Sequence, residues 1–260
     1  MLYLKYLKMN IRSFLQYRLN TIFATTAQFA SSAFTFLAIY LLFQRFGELG
    51  GWSLGEVSLC FGVTMLCFAL SEAFARGFDQ FSGAVKKGDF DRVLLRPRST
   101  VLQIMGSNFE ITRLGRLAQG FFTLALAVRW MQIDWGGAQI FTLAAMVVGG
   151  TCIFIGIFIL GATVCFFTVE GLEFINIFTD GGRELASYPL TIFNKWMRRF
   201  FTFILPFGCI NYLPLMYLTG RAAEGRAALY MLTPLLGIAF LGPCVLVWRG
   251  GVKRYLSTGS

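Results

Sequence analysis

The sequence contains no histidine. That absence removes imidazole general bases, histidine metal ligands and histidine proton relays. Charge is scarce as well: only 14% of the 260 residues are charged, and 13 of those are acidic. A soluble domain of this length needs roughly a quarter of its residues charged to cover its surface. The phosphate-cradling pattern G-x-x-x-x-G-K-[ST] does not occur, so no segment is built to hold ATP phosphates. The six cysteines (Cys60, Cys67, Cys152, Cys165, Cys209 and Cys244) include no C-x-x-C pair and all sit in apolar runs. They read as small buried hydrophobes rather than as disulfides or metal ligands. Internal repeats and low-complexity linkers are missing too, so residues 1–260 read as one domain. The two halves show no paired interrupted helices, which weighs against a secondary-transporter architecture.

What fills the chain instead is hydrocarbon. Hydrophobic residues make up 56% of it and aromatic residues 17%, with a mean hydropathy of +0.64. The solvent implied is a lipid bilayer, and the fold class implied is an all-α integral membrane protein. A spanning helix needs about 20 apolar residues. Six candidates satisfy this, at about 20–44, 57–78, 111–131, 139–168, 200–220 and 227–248. The second carries Glu72 and Arg76, four residues apart on one helix face, and reads as a structural intramembrane pair. Arg113 and Arg116, near the start of the third, are placed to snorkel to a headgroup layer. Gly149, Gly150, Gly156 and Gly161 in the fourth suit close helix packing. The last two spans contain Pro206 and Pro214, then Pro234 and Pro243. Between the first pair lie Asn211 and Tyr212, which are candidates to line a pathway or to hydrogen-bond a neighbouring helix.

Lys and Arg together number 23, giving a formal net charge of +10. With six spans, 19 of these bases fall on the side of the two termini. Only four (Arg45, Arg129, Arg221 and Arg226) fall on the other. This alternation follows the positive-inside bias of membrane loops and puts both termini in the cytoplasm. A nucleic-acid surface would not alternate with the loops in this way. The lead-in, residues 1–19, places Leu4, Leu7, Ile11, Phe14 and Leu15 at helical spacing among Lys5, Lys8 and Arg12. It reads as an interfacial amphipathic helix on anionic lipid rather than as a cleaved signal peptide.

One stretch is unlike its surroundings. The segment "AVKKGDFDRVLLRPRST" (84–100), within a cytoplasmic loop at 79–107, is polar, basic and broken by Gly88 and Pro97. Asp89 suits an N-cap. Phe90, Val93 and Leu94 then share one face over about two turns, while Asp91, Arg92 and Arg96 lie off it. Pro97 ends the element at Arg96. A helix this short is unstable alone and requires a surface, either the membrane interface or a groove on a partner. Further on, Val169 to Met197 is too polar to span. "EGLEFINIF" suits an amphipathic helix continuing from the fourth span. "YPLTIFNKWMRRF" suits a second, shorter contact with Trp196 at headgroup level, and a re-entrant course is the other reading.

The string "KKGDFDRVLLRPRST" resembles the loop between the first two helix pairs of permease subunits in type-2 ABC exporters. It is most similar to that of the "ABC-2 family transporter protein" permeases. "GRELASYPLTIF" (182–193) and "FTFILPFGCINYLP" (201–214) are similar to the same family. The resemblance implies a permease dimer, identical or mixed, forming the pathway in a bacterial inner membrane, with no catalytic residue or cofactor of its own. ATP and Mg would sit on separate cytoplasmic ATPase subunits. It further implies that 89–95, ending at Leu95, is a coupling helix, with Phe90, Val93 and Leu94 entering an ATPase groove. Asp89, Arg92, Arg96 and Pro97 would frame that contact, with Arg92 and Arg96 on an acidic rim. An ion-gradient-driven transporter or channel is the rival expectation, with Glu72 as its carboxylate.

Overall fold

A computed structural model describes residues 6, 8–10, 12, 14, 16–168 and 172–255, with the side chains of 172–175 left aside. Among the described residues there are helices and no strands. The long elements are α1 (Arg18–Phe46), α2 (Leu54–Asp79), α6 (Leu114–Trp130), α7 (Gly137–Val164) and α12 (Leu235–Lys253). Between α2 and α6 lie three short helices, α3 (Phe81–Lys86), α4 (Asp89–Leu94) and α5 (Thr100–Ser107). Between α7 and α12 lie α8 (Leu172–Ala186), α9 (Lys195–Phe203), α10 (Tyr212–Leu218) and α11 (Ala227–Leu232). Of the lead-in, Tyr6, Lys8, Met9, Asn10, Arg12, Phe14 and Gln16 are helical. Leu4, Lys5, Leu7, Ile11 and Leu15 of the expected interfacial face lie outside the described residues, as do Val169, Glu170 and Gly171.

Among the described residues, four helices are long and apolar enough to cross a membrane: α1, α2 continued through α3 to Lys86, α7 and α12. A fifth exists if the pair Lys195–Phe203 and Phe207–Leu218 counts as one bent span. The span expected at 200–220, with its two prolines, is sharply bent: the two halves meet at 80°. Pro206 lies in the break, lacks an N–H and cannot continue α9. The expected span at 227–248 is likewise divided at Thr233–Pro234 into α11 and α12. The expected third span is shorter than its apolar run: α6 has 17 residues, preceded by a 3-10 turn at Ile111–Arg113.

The core is built around α2. Its start is fixed by a capping box: the Ser53 hydroxyl accepts from the Glu56 N–H, and Glu56 Oε2 accepts from the Ser53 N–H at 2.7 Å. Nearly all of α2 is buried, because both α6 and α7 pack along it. α12 packs in turn on α7. That last crossing is set by glycine. A Cβ on Gly149 would strike the Pro234 carbonyl, and one on Gly237 would strike the Gly149 carbonyl. Small residues thus let the two backbones touch. By contrast, α1 lies at the edge, leaving Leu19, Phe23, Phe34, Leu41 and Phe46 exposed.

Candidate coupling site

The basic loop folds back onto its own chain. α4 starts after Gly88, whose φ of 67° is one that glycine adopts freely. Gly88, rather than the expected Asp89, is therefore the N-cap. Asp89 and Asp91 occupy the first turn, where carboxylates complement the helix dipole, and Asp89 lies 3.7 Å from Arg92.

The apolar face divides differently from the sequence expectation. Phe90 is fully buried, in a cluster of four rings from three other segments: Phe81 at 5.0 Å, Phe166 at 5.4 Å, Trp248 at 6.1 Å and Tyr255 at 5.0 Å. Most of these pairs are edge-on, the arrangement aromatic quadrupoles favour. Val93 packs against the same core. Phe90 and Val93 are therefore anchors and not outward knobs. The physical reason is that periodicity names an apolar face without saying what covers it, and here the chain's own aromatic residues do so. Leu94 and Leu95 remain exposed, Leu95 at 85%, and Arg92, Arg96 and Pro97 are exposed with them.

Polar contacts complete the anchorage. Gln103 Nε2 donates to the Val93 carbonyl at 3.3 Å and to the Arg98 carbonyl at 3.2 Å, and Trp248 Nε1 donates to Thr100 Oγ1 at 3.1 Å. Arg96 Nη1 donates to the Tyr6 hydroxyl at 2.8 Å, which ties the lead-in to this loop. Burial and the adjacent Asp91 carboxylate push the Tyr255 hydroxyl above its ordinary pKa, so it stays neutral at physiological pH.

A family model described as "ABC-2 family transporter protein" matches residues 29–259. The chain belongs to the ABC-2 transporter family. Comparison with curated proteins and with solved structures gives no match. The family is a membrane component of ABC transporters, and the exposed basic loop is thus a feature of a multi-pass ABC-2 membrane protein.

Behind the loop of this ABC-2 chain, Glu72 sits in a larger assembly than the single pair expected. It takes Arg76 at 3.1 Å, Arg113 at 3.3 Å and Arg116 at 2.5 Å. Arg76 also meets Asp79 at 2.6 Å and Glu110 at 3.2 Å, and Arg113 meets Glu110 at 3.1 Å. The snorkelling expected of Arg113 and Arg116 does not occur, because both turn inward to Glu72. An opposite charge offsets the desolvation that lipid would impose. The network lines a partly open polar cavity of about 260 Å³, which Phe68, Phe158, Asn176, Thr179 and Asp180 also border. The Phe68 ring lies 4.9 Å from the Arg183 guanidinium and 5.8 Å from that of Arg116. The α2 backbone departs from helical geometry at Ala75 (φ −126°, ψ 18°), between Glu72 and Arg76.

Asn211 is enclosed rather than facing a pathway. Its Nδ2 donates to Thr64 Oγ1 at 2.7 Å and to the Ala186 carbonyl at 2.5 Å, joining α2, the end of α8 and the turn before α10. Tyr212 is half-buried beside it. Trp196, on α9, is exposed.

Proposed function

We propose that this chain is the transmembrane permease subunit of an ATP-driven exporter in a bacterial inner membrane. Family membership supplies the class, since ABC-2 proteins work with ATPase subunits. The observation that carries the reading is the loop: a short helix pinned from behind by Phe90 while Leu94, Leu95, Arg92 and Arg96 stand outward. Two exposed leucines bordered by guanidinium groups suit an apolar groove with an acidic rim. ATP and Mg belong to the ATPase, and this chain contributes no catalytic residue. The spans are α1, α2, α6, α7, the bent α9–α10 pair and α11–α12, with both termini cytoplasmic and residues 1–19 along the inner interface. The whole chain acts as one domain, and a second permease completes the pathway. The gradient-driven alternative requires a carboxylate free to load a proton; three arginines bound to Glu72 count against it.

The test is co-purification from the native host. Tagged wild type should bring down an ATPase, and Arg92→Glu with Leu95→Asp should lose it while melting as wild type does. Equal recovery of the ATPase with both chains would overturn the assignment of 89–95 as the coupling helix. Transport driven by an ion gradient with no ATPase present would overturn the exporter reading itself.

A further inference from the structure

An apolar hollow lies away from the coupling loop. It is a groove of about 550 Å³ between the middle of α1 and α6, within the range of small-molecule sites. Its walls are apolar and largely aromatic: Phe29, Phe34, Phe36 and Tyr40 from α1, and Phe122 from α6. Ala30 and Ala33 leave the space that a larger side chain would fill. One lining residue does not match this setting. Gln119 is 1% exposed. Its Nε2 donates to Thr123 Oγ1 at 2.7 Å, while its Oε1 has no hydrogen-bond partner. A buried amide oxygen without a donor loses its hydration with nothing in return, a cost larger than most single contacts repay. In a groove facing hydrocarbon, water is not available to satisfy it.

We propose that this groove binds an amphiphile drawn from the membrane: an apolar, ring- or chain-like body carrying one hydrogen-bond donor, a hydroxyl or amide, that is given to Gln119 Oε1. The apolar walls supply affinity, and the single acceptor supplies orientation. This binding site is separate from the coupling helix. It depends on the proposed function only in that α1 crosses the bilayer.

The probe is a long-chain alcohol carrying a mid-chain diazirine, compared with its methyl ether, which lacks the donor. Both are photolysed in lipid vesicles containing the full chain, and adducts are mapped by mass spectrometry. The alcohol should label α1 and α6 about tenfold more than the ether, the factor that one hydrogen bond of about 1.4 kcal/mol gives. Gln119→Leu should abolish that preference without lowering the melting temperature, since it removes an unsatisfied acceptor. Ala33→Trp should abolish labelling by both. Equal labelling of alcohol and ether by wild type overturns the proposal. So does labelling that rises when the chain is diluted in the bilayer, which would identify a second copy as the occupant. Repeating the experiment with the ATPase and ATP separates two sources: a fall in labelling marks transported cargo, and no change marks a resident lipid. Either result leaves the site standing, and neither depends on whether 89–95 docks the ATPase.

Discussion

Phe90 lies in α4 and Leu95 caps its end five residues on, and the structure gives them opposite surroundings. Phe90 touches four aromatic rings and is fully buried. Phe90→Ala removes a whole ring from a packed site and leaves a cavity, at a cost of about 4 kcal/mol. For a chain of this size that lowers the melting midpoint by about 10 °C. Leu95 is 85% exposed, so Leu95→Ala should change stability by less than about 0.5 kcal/mol. Function should divide the other way. Leu95→Ala should weaken ATPase stimulation in proteoliposomes at unchanged melting temperature, whereas Phe90→Ala should lose stimulation and stability together. The assay is a fluorescence melting scan in detergent, paired with ATP hydrolysis by the co-reconstituted ATPase. If Phe90→Ala melts with wild type, the aromatic cluster is not what holds α4. If Leu95→Ala lowers melting as Phe90→Ala does, Leu95 packs inward and the division of faces is wrong.

Two further perturbations probe the interior. Glu72→Leu leaves three inward-turned arginines without their shared carboxylate and should cost about 3–5 kcal/mol in a melting scan; adding Arg116→Leu should recover part of that loss, and strict additivity would contradict a shared network. Gly149→Leu places a side chain where the Pro234 backbone lies, so α7 and α12 must separate. The loss should exceed the roughly 1–3 kcal/mol of ordinary overpacking, read as reduced folded yield, while Gly242→Leu, which meets open space, should be tolerated.

The long apolar runs were legible because hydropathy is a local property. α1, α2 and α7 begin and end within a few residues of the runs that announce them. The bends at 204–206 and 233–234 were legible only as prolines, since a proline marks where a helix breaks but not the angle at which it resumes. The role of Glu72 was half legible. An i, i+4 carboxylate and guanidinium announce a pair, but Arg113 and Arg116 join it only because α6 packs along α2. Phe90 was misread for a related reason. Its partners, Phe166, Trp248 and Tyr255, come from parts of the chain far away in sequence. Gln119 gave a faint signal, as a polar residue inside an apolar run, but its missing partner is visible only in three dimensions.

The arrangement around α2 constrains how a push on the loop can travel. Phe81, Phe90, Phe166, Trp248 and Tyr255 interlock, so α3, α4, the end of α7 and the end of α12 resist moving separately. Close-packed aromatic interiors have low compressibility and transmit displacement rather than absorbing it. Above this block the next irregular backbone on α2 is Ala75. Arg76 follows it and holds carboxylates on both sides of the break, Glu72 before and Asp79 after, as well as Glu110 across from it. On the proposed coupling role, a load applied at Leu94 and Leu95 passes through this block toward the break at Ala75, which the ion pairs of Arg76 bridge. Arg76→Lys keeps the charge but loses the planar fork that reaches three carboxylates. It should leave the melting temperature within a few degrees of wild type while uncoupling transport from ATP hydrolysis in proteoliposomes. Full coupling in Arg76→Lys would show that the break at Ala75 carries no load.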